Sequence, residues 1–296
     1  SQDTQQINQP DSGTISPAPD SGGNADGQCN ERTLQVYLLS NTQQLLRFSP
    51  GTLDISVVGT LSCPGVSSPF SMSVDNYADA WILYQPNGLL STAGTLFKAS
   101  TVDAGCVATN YNAGQGGIDL FGMGFVADSA GGKNESLYMA GGSTMNMFDP
   151  WTGSPAAGFN ATLNSIKTDA LSTLSNVGTI PGGMGTPELT GTGNGELWGF
   201  FPVATPPVVA QISKTDATIL KTHDLSSLNL GQAKAYAFAF WGGDFYLFLQ
   251  TYSESSTNFW KVSGATGSAS KIISNSGYTI VGAGVSTCAP TENPAE

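Results

Sequence analysis

The sequence predicts an all-β chain folded as a five-bladed β-propeller, with four-stranded blades and a ring closed by pairing N- and C-terminal strands in one blade. Three observations predict it. A short strand running into a turn recurs five times, an aromatic strand precedes each recurrence, and small-residue strands precede four of the aromatic strands while the fifth stands at the far end of the chain.

The recurring strand and turn read LLRFSPGT (45–52), LFKASTVD (96–103), MNMFDPWTG (145–153), VAQISKTDAT (209–218) and FWKVSGATG (259–267). Their aligned apolar positions, Phe48, Ala99, Phe148, Ile212 and Val262, are spaced by 51, 49, 64 and 50 residues. Upstream lie the aromatic strands around Tyr37, Trp81, Tyr138, Trp198 and Tyr246, apolar over five or six residues as buried strands are. Further upstream come SMSVD (71–75), GMGFVAD (122–128), PELTGTG (187–193) and YAFAFWG (236–242), whose small side chains suit a crowded central axis.

The first aromatic strand has no small-residue partner before it, and GYTIVGAGVST (277–287) has that character with no blade after it. Such a permutation marks a closed ring, which protects sheet edges by radial repetition. The expected organisation is a low-complexity tail over residues 1–30, the propeller over 31–290 and a C-terminal tail over 291–296. The long interval implies an insertion of about fourteen residues in blade three, placed at 153–171, where TLNSIKTDALSTL reads as a short helix or an extended excursion.

Composition sets the outer limits. Only 11% of the 296 residues are charged, against about a quarter in an ordinary soluble domain, so the surface is built from uncharged polar residues and glycine. The 37 glycines and 16 prolines argue against a helical protein. With 10 basic residues against 22 acids and a net charge of −12, a phosphate-tracking groove is excluded, and nucleic acid with it. The longest apolar stretch, 235–249, is broken by Gly242, Gly243 and Asp244, a hairpin signal, so it reads as two strands and not a membrane span.

Cys29, Cys63, Cys106 and Cys288 have no zinc-ligand spacing, and His223 is the single histidine. An even count in an acidic, lysine-poor chain reads as two disulfides formed in an oxidising compartment, with four free buried thiols as the alternative. Ring closure would bring Cys29 to Cys288; Cys63 and Cys106 pair by elimination. The start at Ser without an apolar leader is read as a secreted product whose signal has been removed, or as a start set by how the chain was produced.

Residues 1–30 hold Asp3, Asp11, Asp20 and Asp26 with no basic residue and almost no large apolar one. Alone they cannot offset their ordering entropy, so a groove on their own domain or a neighbouring subunit would be needed to order them. Asp20, Asn24, Asp26 and Glu31 fall on positions of a calcium-loop template, but Gly22 and Ala25 depart from it; calcium is the single cofactor the sequence raises, against a plain acidic linker.

The repeats resemble bacterial secreted β-propellers of the YVTN/lactonase-like and kelch-like kind, whose blades carry an Asp/Ser-Pro-x-Thr-Gly turn. MFDPWTG (147–153) matches best, then KVSGATG and QISKTDAT. The resemblance spans residues 33–288 and implies a fold, not a chemistry.

Candidate chemistry is sparse. His223 sits beside Asp224 near an outer strand, where neighbours point to opposite faces, so it reads as an exposed surface histidine and not a triad member. The acids on or beside inner strands are Asp75, Asp119, Asp128, Glu188 and Asp244. A glycosidase needs two such carboxylates about 5–9 Å apart in the funnel. Asp75, Asp128 and Asp244 occupy turn positions that favour Asp for hydrogen bonding alone, with no second basic partner evident. Trp81 and Trp198 read as inter-blade core, and Trp151, in the DPWTG turn, as an exposed contact residue. Asn134-Glu135-Ser136 and Asn160-Ala161-Thr162 are glycosylation sequons in predicted loops.

No catalytic residue and no metal ligand is assigned. The expectation is a non-enzymatic extracellular propeller acting as a cell-surface or self-assembling fibre subunit, with tail residues from Gln5 to Ile15 pairing with a neighbour's outer strand. The alternative is a carbohydrate-binding propeller or five-bladed glycosidase using the funnel and Trp151. Self-association and a glycan or cell-surface partner are therefore the partners to test.

Overall fold

The computed structural model describes residues 28–65, 68–86, 93–148, 156 and 158–294. Twenty strands form five four-stranded antiparallel sheets in a ring. Blade one holds β1 (Val36–Ser40), β2 (Gln44–Ser49) and β3 (Asp54–Thr60), and blade two β4 (Pro69–Val74), β5 (Asp79–Tyr84), β6 (Thr95–Ser100) and β7 (Cys106–Ala108). Blade three holds β8 (Leu120–Ala127), β9 (Glu135–Gly142), β10 (Thr162–Ile166) and β11 (Ser175–Thr179), with a one-turn helix α1 (Thr144–Met147) between β9 and β10. Blade four is β12 (Glu188–Gly191), β13 (Leu197–Phe201), β14 (Val208–Ile212) and β15 (Ile219–Asp224), and blade five β16 (Ala233–Trp241), β17 (Asp244–Thr251), β18 (Asn258–Ser263) and β19 (Ala269–Ile273).

The last strand, β20 (Ile280–Val285), is the innermost strand of blade one. It pairs antiparallel with β1, with Val36 opposite Val285 and Leu38 opposite Ala283. Cys29 is bonded to Cys288 beside this closure, and Cys63, after β3, to Cys106 on β7.

Both faces of every blade are covered, which explains why the second strands are apolar without interruption. Val36 and Leu38 face blade five, whereas Tyr37 and Leu39 face blade two, as the two-residue period of a strand requires. The same aromatic position of each blade, Tyr37, Trp81, Tyr138, Trp198 and Tyr246, lies in a different one of the five core clusters. Each cluster fills one interface between consecutive blades, so the repeat unit of the sequence is also the repeat unit of the core. Each such burial contributes roughly 1.5–3 kcal/mol.

The inner strands run side by side in one direction. Gly122 lies against Pro187 and Glu188, Gly124 against Leu189 and Thr190, and Gly282 and Gly284 against β4. Hydroxyls help tie them together: Ser73 Oγ accepts from Phe125 N at 3.0 Å and Thr190 Oγ1 from Phe240 N at 3.1 Å. A Cβ on Gly122 would stand 2.1 Å from the Pro187 carbonyl oxygen, so one strand would have to move. Gly122→Ala is expected to lower unfolding free energy by about 1–3 kcal/mol in urea titration, whereas Gly51→Ala, with open space around it, serves as the near-neutral control. Equal effects would refute the close-approach account.

Blade three departs from the sequence reading. MNMF (145–148) is not its third strand: Thr144–Met147 is helical, and the third strand is Thr162–Ile166, inside the segment read as an insertion. The excursion instead precedes the strand, between Gly142 and Thr162. It leaves β9 at Ser143, and Asp119 anchors it by accepting from Thr144 N at 3.0 Å. Asp-Pro and Thr-Gly specify a turn but not the strand before it, and SIKTDA (165–170) is the true counterpart of QISKTDA (211–217).

Candidate functional site

Since the inner strands share a direction, the channel has two distinct ends. At the end where they begin lies a cleft of about 390 Å³, lined by Pro69, Phe70, Phe148, Thr186, Glu188 and Tyr236 among others. Glu188 opens β12 and is 4% exposed; its Oε2 accepts from Ser71 Oγ at 2.8 Å, a bond that runs from blade four to blade two. Burial pushes its carboxyl well above the usual range, with the Ser71 hydroxyl pulling weakly the other way. Burial also raises the Tyr236 phenol, and the Glu188 charge beside it adds to this; its hydroxyl donates to the Thr186 carbonyl at 2.8 Å. The Thr186 hydroxyl is itself buried and has no hydrogen-bond partner among the described residues. Phe70 and Phe148 meet edge to face with centroids 6.3 Å apart.

At the opposite end, where inner strands turn into second strands, the carboxylates are tied down. Asp75 accepts from Tyr77 N, Asp79 N and Trp81 Nε1 at 2.9–3.0 Å, and burial holds its carboxyl above the usual range against these bonds. Glu135, which opens β9, accepts from Asn76 N at 2.8 Å and from Thr287 Oγ1 at 2.7 Å. Burial pushes its carboxyl up to about 7, with Asp75 and Asp128 adding to the rise. Asp128 is also pressed upward by burial, but the ammonium of Lys167 and the Ser136 hydroxyl outweigh this and leave it low.

The five acids singled out in the sequence therefore do not converge. Asp75 and Asp128 are at the far end from Glu188, Asp119 holds the blade-three excursion, and Asp244 pairs with Lys261 at 3.1 Å. Basic partners, which the sequence reading did not see, accompany three of them. Lys98 lies 2.8 Å from Asp79 and 3.8 Å from Asp75, and Lys98 and Lys261 occupy equivalent places on β6 and β18. The signal was present in FKAS and WKVS, one residue before the turn-facing apolar position. These pairs are partly exposed and contribute little each, roughly 0–1 kcal/mol.

His223 is not an exposed surface residue. It is 6% exposed on β15 with its ring stacked on Trp198 at 5.7 Å, and burial together with Lys221 pushes its pKa down. An outer strand lying over the next blade has a buried face, which a reading of local polarity misses. Trp81 and Trp198 are inter-blade core. Trp151, Gln5 and Ile15 lie outside the described residues, as do Asp20, Asn24 and Asp26 of the calcium-loop template. Among the described residues no three His, Cys, Asp or Glu side chains gather to hold a metal ion, and no helix is long and apolar enough to cross a membrane. The two disulfides fit an extracellular protein.

No family model matches the chain, and no curated protein matches it. Among solved structures, a chain of the nidogen/laminin complex is 10% identical, with 84% of this chain and 97% of that one covered and a TM-score of 0.48. Streptogramin B lyase is 13% identical, covering 88% and 71%, with a TM-score of 0.41. The calcium-binding protein regucalcin of Agrobacterium tumefaciens is 12% identical, covering 84% and 74%, with a TM-score of 0.45. The resemblance to propeller repeat proteins is one of fold, and the five-bladed ring itself rests on the strand pairing.

Proposed function

We propose that this chain is a non-enzymatic extracellular propeller that acts as a cell-surface or self-assembling subunit, its N-terminal segment adding as a strand to the outer edge of a neighbouring copy. The observation that supports this most is the edge of blade one. β3 is the outermost strand there, seven residues long, and Asp54 at its first position is its only charged residue. Val57 stands 53% exposed near its middle. Folded proteins usually guard a long edge with charge, as Lys221 and Asp224 do on β15 and Lys271 on β19; the other uncharged outer strands, β7 and β11, are shorter, at three and five residues. An unguarded edge with unpaired backbone groups is what strand addition uses.

Residues 1–27 supply the donor in this reading. They include the polar run from Gln5 to Ile15, too poor in apolar residues to build a core of their own. The segment is tethered through Cys29, and 27 residues in extended form reach up to about 90 Å, far enough for an adjacent molecule. The placing of the inner-strand acids in turns, lysine pairs and one isolated buried position favours this over a glycosidase.

Light scattering of the full chain, of a variant lacking residues 1–27 and of Val57→Lys tests it. The full chain is expected to give oligomers and both variants monomers, with unchanged circular dichroism. A monomeric full chain, or oligomers that survive both changes, would overturn the reading.

A further inference from the structure

The cleft at the mouth of the channel is not needed for strand addition, and its chemistry is specific. A carboxylate in low dielectric is ordinarily matched by a cation or by several hydrogen bonds. Glu188 has the Ser71 hydroxyl on one oxygen, and among the described residues nothing hydrogen-bonds the other. Among the described residues lining the cleft one is basic, Lys234, and it is exposed. Beside Glu188 lies Thr186, a residue 4% exposed, whose hydroxyl also has no partner among the described residues. Phe70, Phe148 and Tyr236 supply aromatic rings around the same space.

We propose that this cleft binds a small organic ammonium ion of the quaternary or methylated-amine class, with Glu188 as counter-ion, Phe70, Phe148 and Tyr236 as the aromatic wall and Thr186 as hydrogen-bond partner to a ligand hydroxyl. Methylated ammonium groups are weakly hydrated and bind aromatic faces electrostatically, so they tolerate a cavity that would strip a lysine or a metal ion of water at a prohibitive cost. A hard divalent cation needs about six oxygen ligands, and one carboxylate with one free hydroxyl does not supply them. An anion would meet Glu188 directly. The net charge of −12 raises the local concentration of cations around the whole molecule.

Binding is coupled to a proton. Burial disfavours the ionised form of Glu188 and a bound cation favours it, so binding draws the carboxyl toward ionisation and affinity increases as pH rises.

Choline chloride is the probe, and 3,3-dimethylbutan-1-ol, which has the same shape without the charge, is its control on the unaltered chain. In titration calorimetry choline is expected to bind at least about tenfold more tightly than the alcohol, with proton release that shows as a buffer-dependent heat. Glu188→Gln, which keeps the bond to Ser71, is expected to remove most of that preference. Thr186→Val is expected to weaken choline about threefold and leave tetramethylammonium unchanged. Equal binding of choline and the alcohol, binding of neither, an unaltered preference in Glu188→Gln, or binding of neutral sugars with choline silent would each overturn the proposal. The alcohol comparison needs no variant, so it decides the matter even where Glu188→Gln fails to fold.

Discussion

Replacing Cys29 and Cys288 together by serine is expected to lower the unfolding free energy by about 5 kcal/mol. The bond links positions 259 residues apart, so in the unfolded chain it closes almost the entire propeller into one loop. Loop-closure entropy grows with the logarithm of length; on the same account Cys63–Cys106, with a separation of 43, contributes about 4 kcal/mol. The native state strengthens the contrast. Cys29 N also donates to the Asn76 carbonyl at 3.2 Å, so the long-range bond pins the first described residues to blade two as well as to the last strand. Urea titrations of the two double-serine variants check this. The Cys29/Cys288 variant is expected to have the lower midpoint, and a larger loss from Cys63/Cys106 would show that local strain or residual structure, and not ring closure, governs stability.

The sequence made the ring legible because a propeller writes its geometry as repetition. Aromatic residues recur at 37, 81, 138, 198 and 246 because five equivalent interfaces each need one large side chain. Small residues recur upstream because neighbouring inner strands approach closely enough for a Cβ on Gly122 or Gly191 to collide with backbone. The displaced strand at 280–285 follows from closure itself. Where a feature depended on contacts between repeats, local reading failed. The third strand of blade three was hidden by a better-looking turn, and the burial of His223 depends on Trp198 and Phe245, which come from blades four and five. The candidate site was the least legible part. Glu188 could be named among inner-strand acids, but its separation from Asp75, Asp128 and Asp244 depends on strand direction, and its bond to Ser71 spans 117 residues.

Glu135 carries the second large effect, through pH. Its two oxygens hold Asn76 of the blade-two hairpin and Thr287, the neighbour of Cys288, so one carboxyl joins two blades to the closing segment. Asp75 and Asp128 face it, Lys167 donates to its backbone carbonyl at 3.0 Å and pairs with Asp128, and Lys133 and Asp169 complete the surroundings. Burial pushes its carboxyl up to about 7 in the folded chain against 4.5 ordinarily. Between those values the folded chain keeps a proton that the unfolded chain has released, so stability falls as pH rises through the window, by about 3 kcal/mol from this group. Asp75 and Glu188, also raised, act in the same direction. Asp128, held low, acts oppositely, and its contribution is lost only as pH falls below the ordinary range near 3.8. The single histidine is depressed below 6.5 by burial and by Lys221, so it gives up a proton on folding; its contribution rises with pH below 6.5 and opposes that of Glu135. The Glu135 contribution is therefore greatest at the acid end of the window and falls toward pH 7. Glu135→Gln keeps an acceptor for Asn76 N and an amide to meet the Thr287 hydroxyl, so it isolates the charge. Urea titrations from pH 4.5 to pH 8 are expected to show the decline in the unaltered chain reduced by about 3 kcal/mol in Glu135→Gln. Parallel pH profiles for the two chains would mean that Glu135 is ionised throughout and that its surroundings compensate its burial.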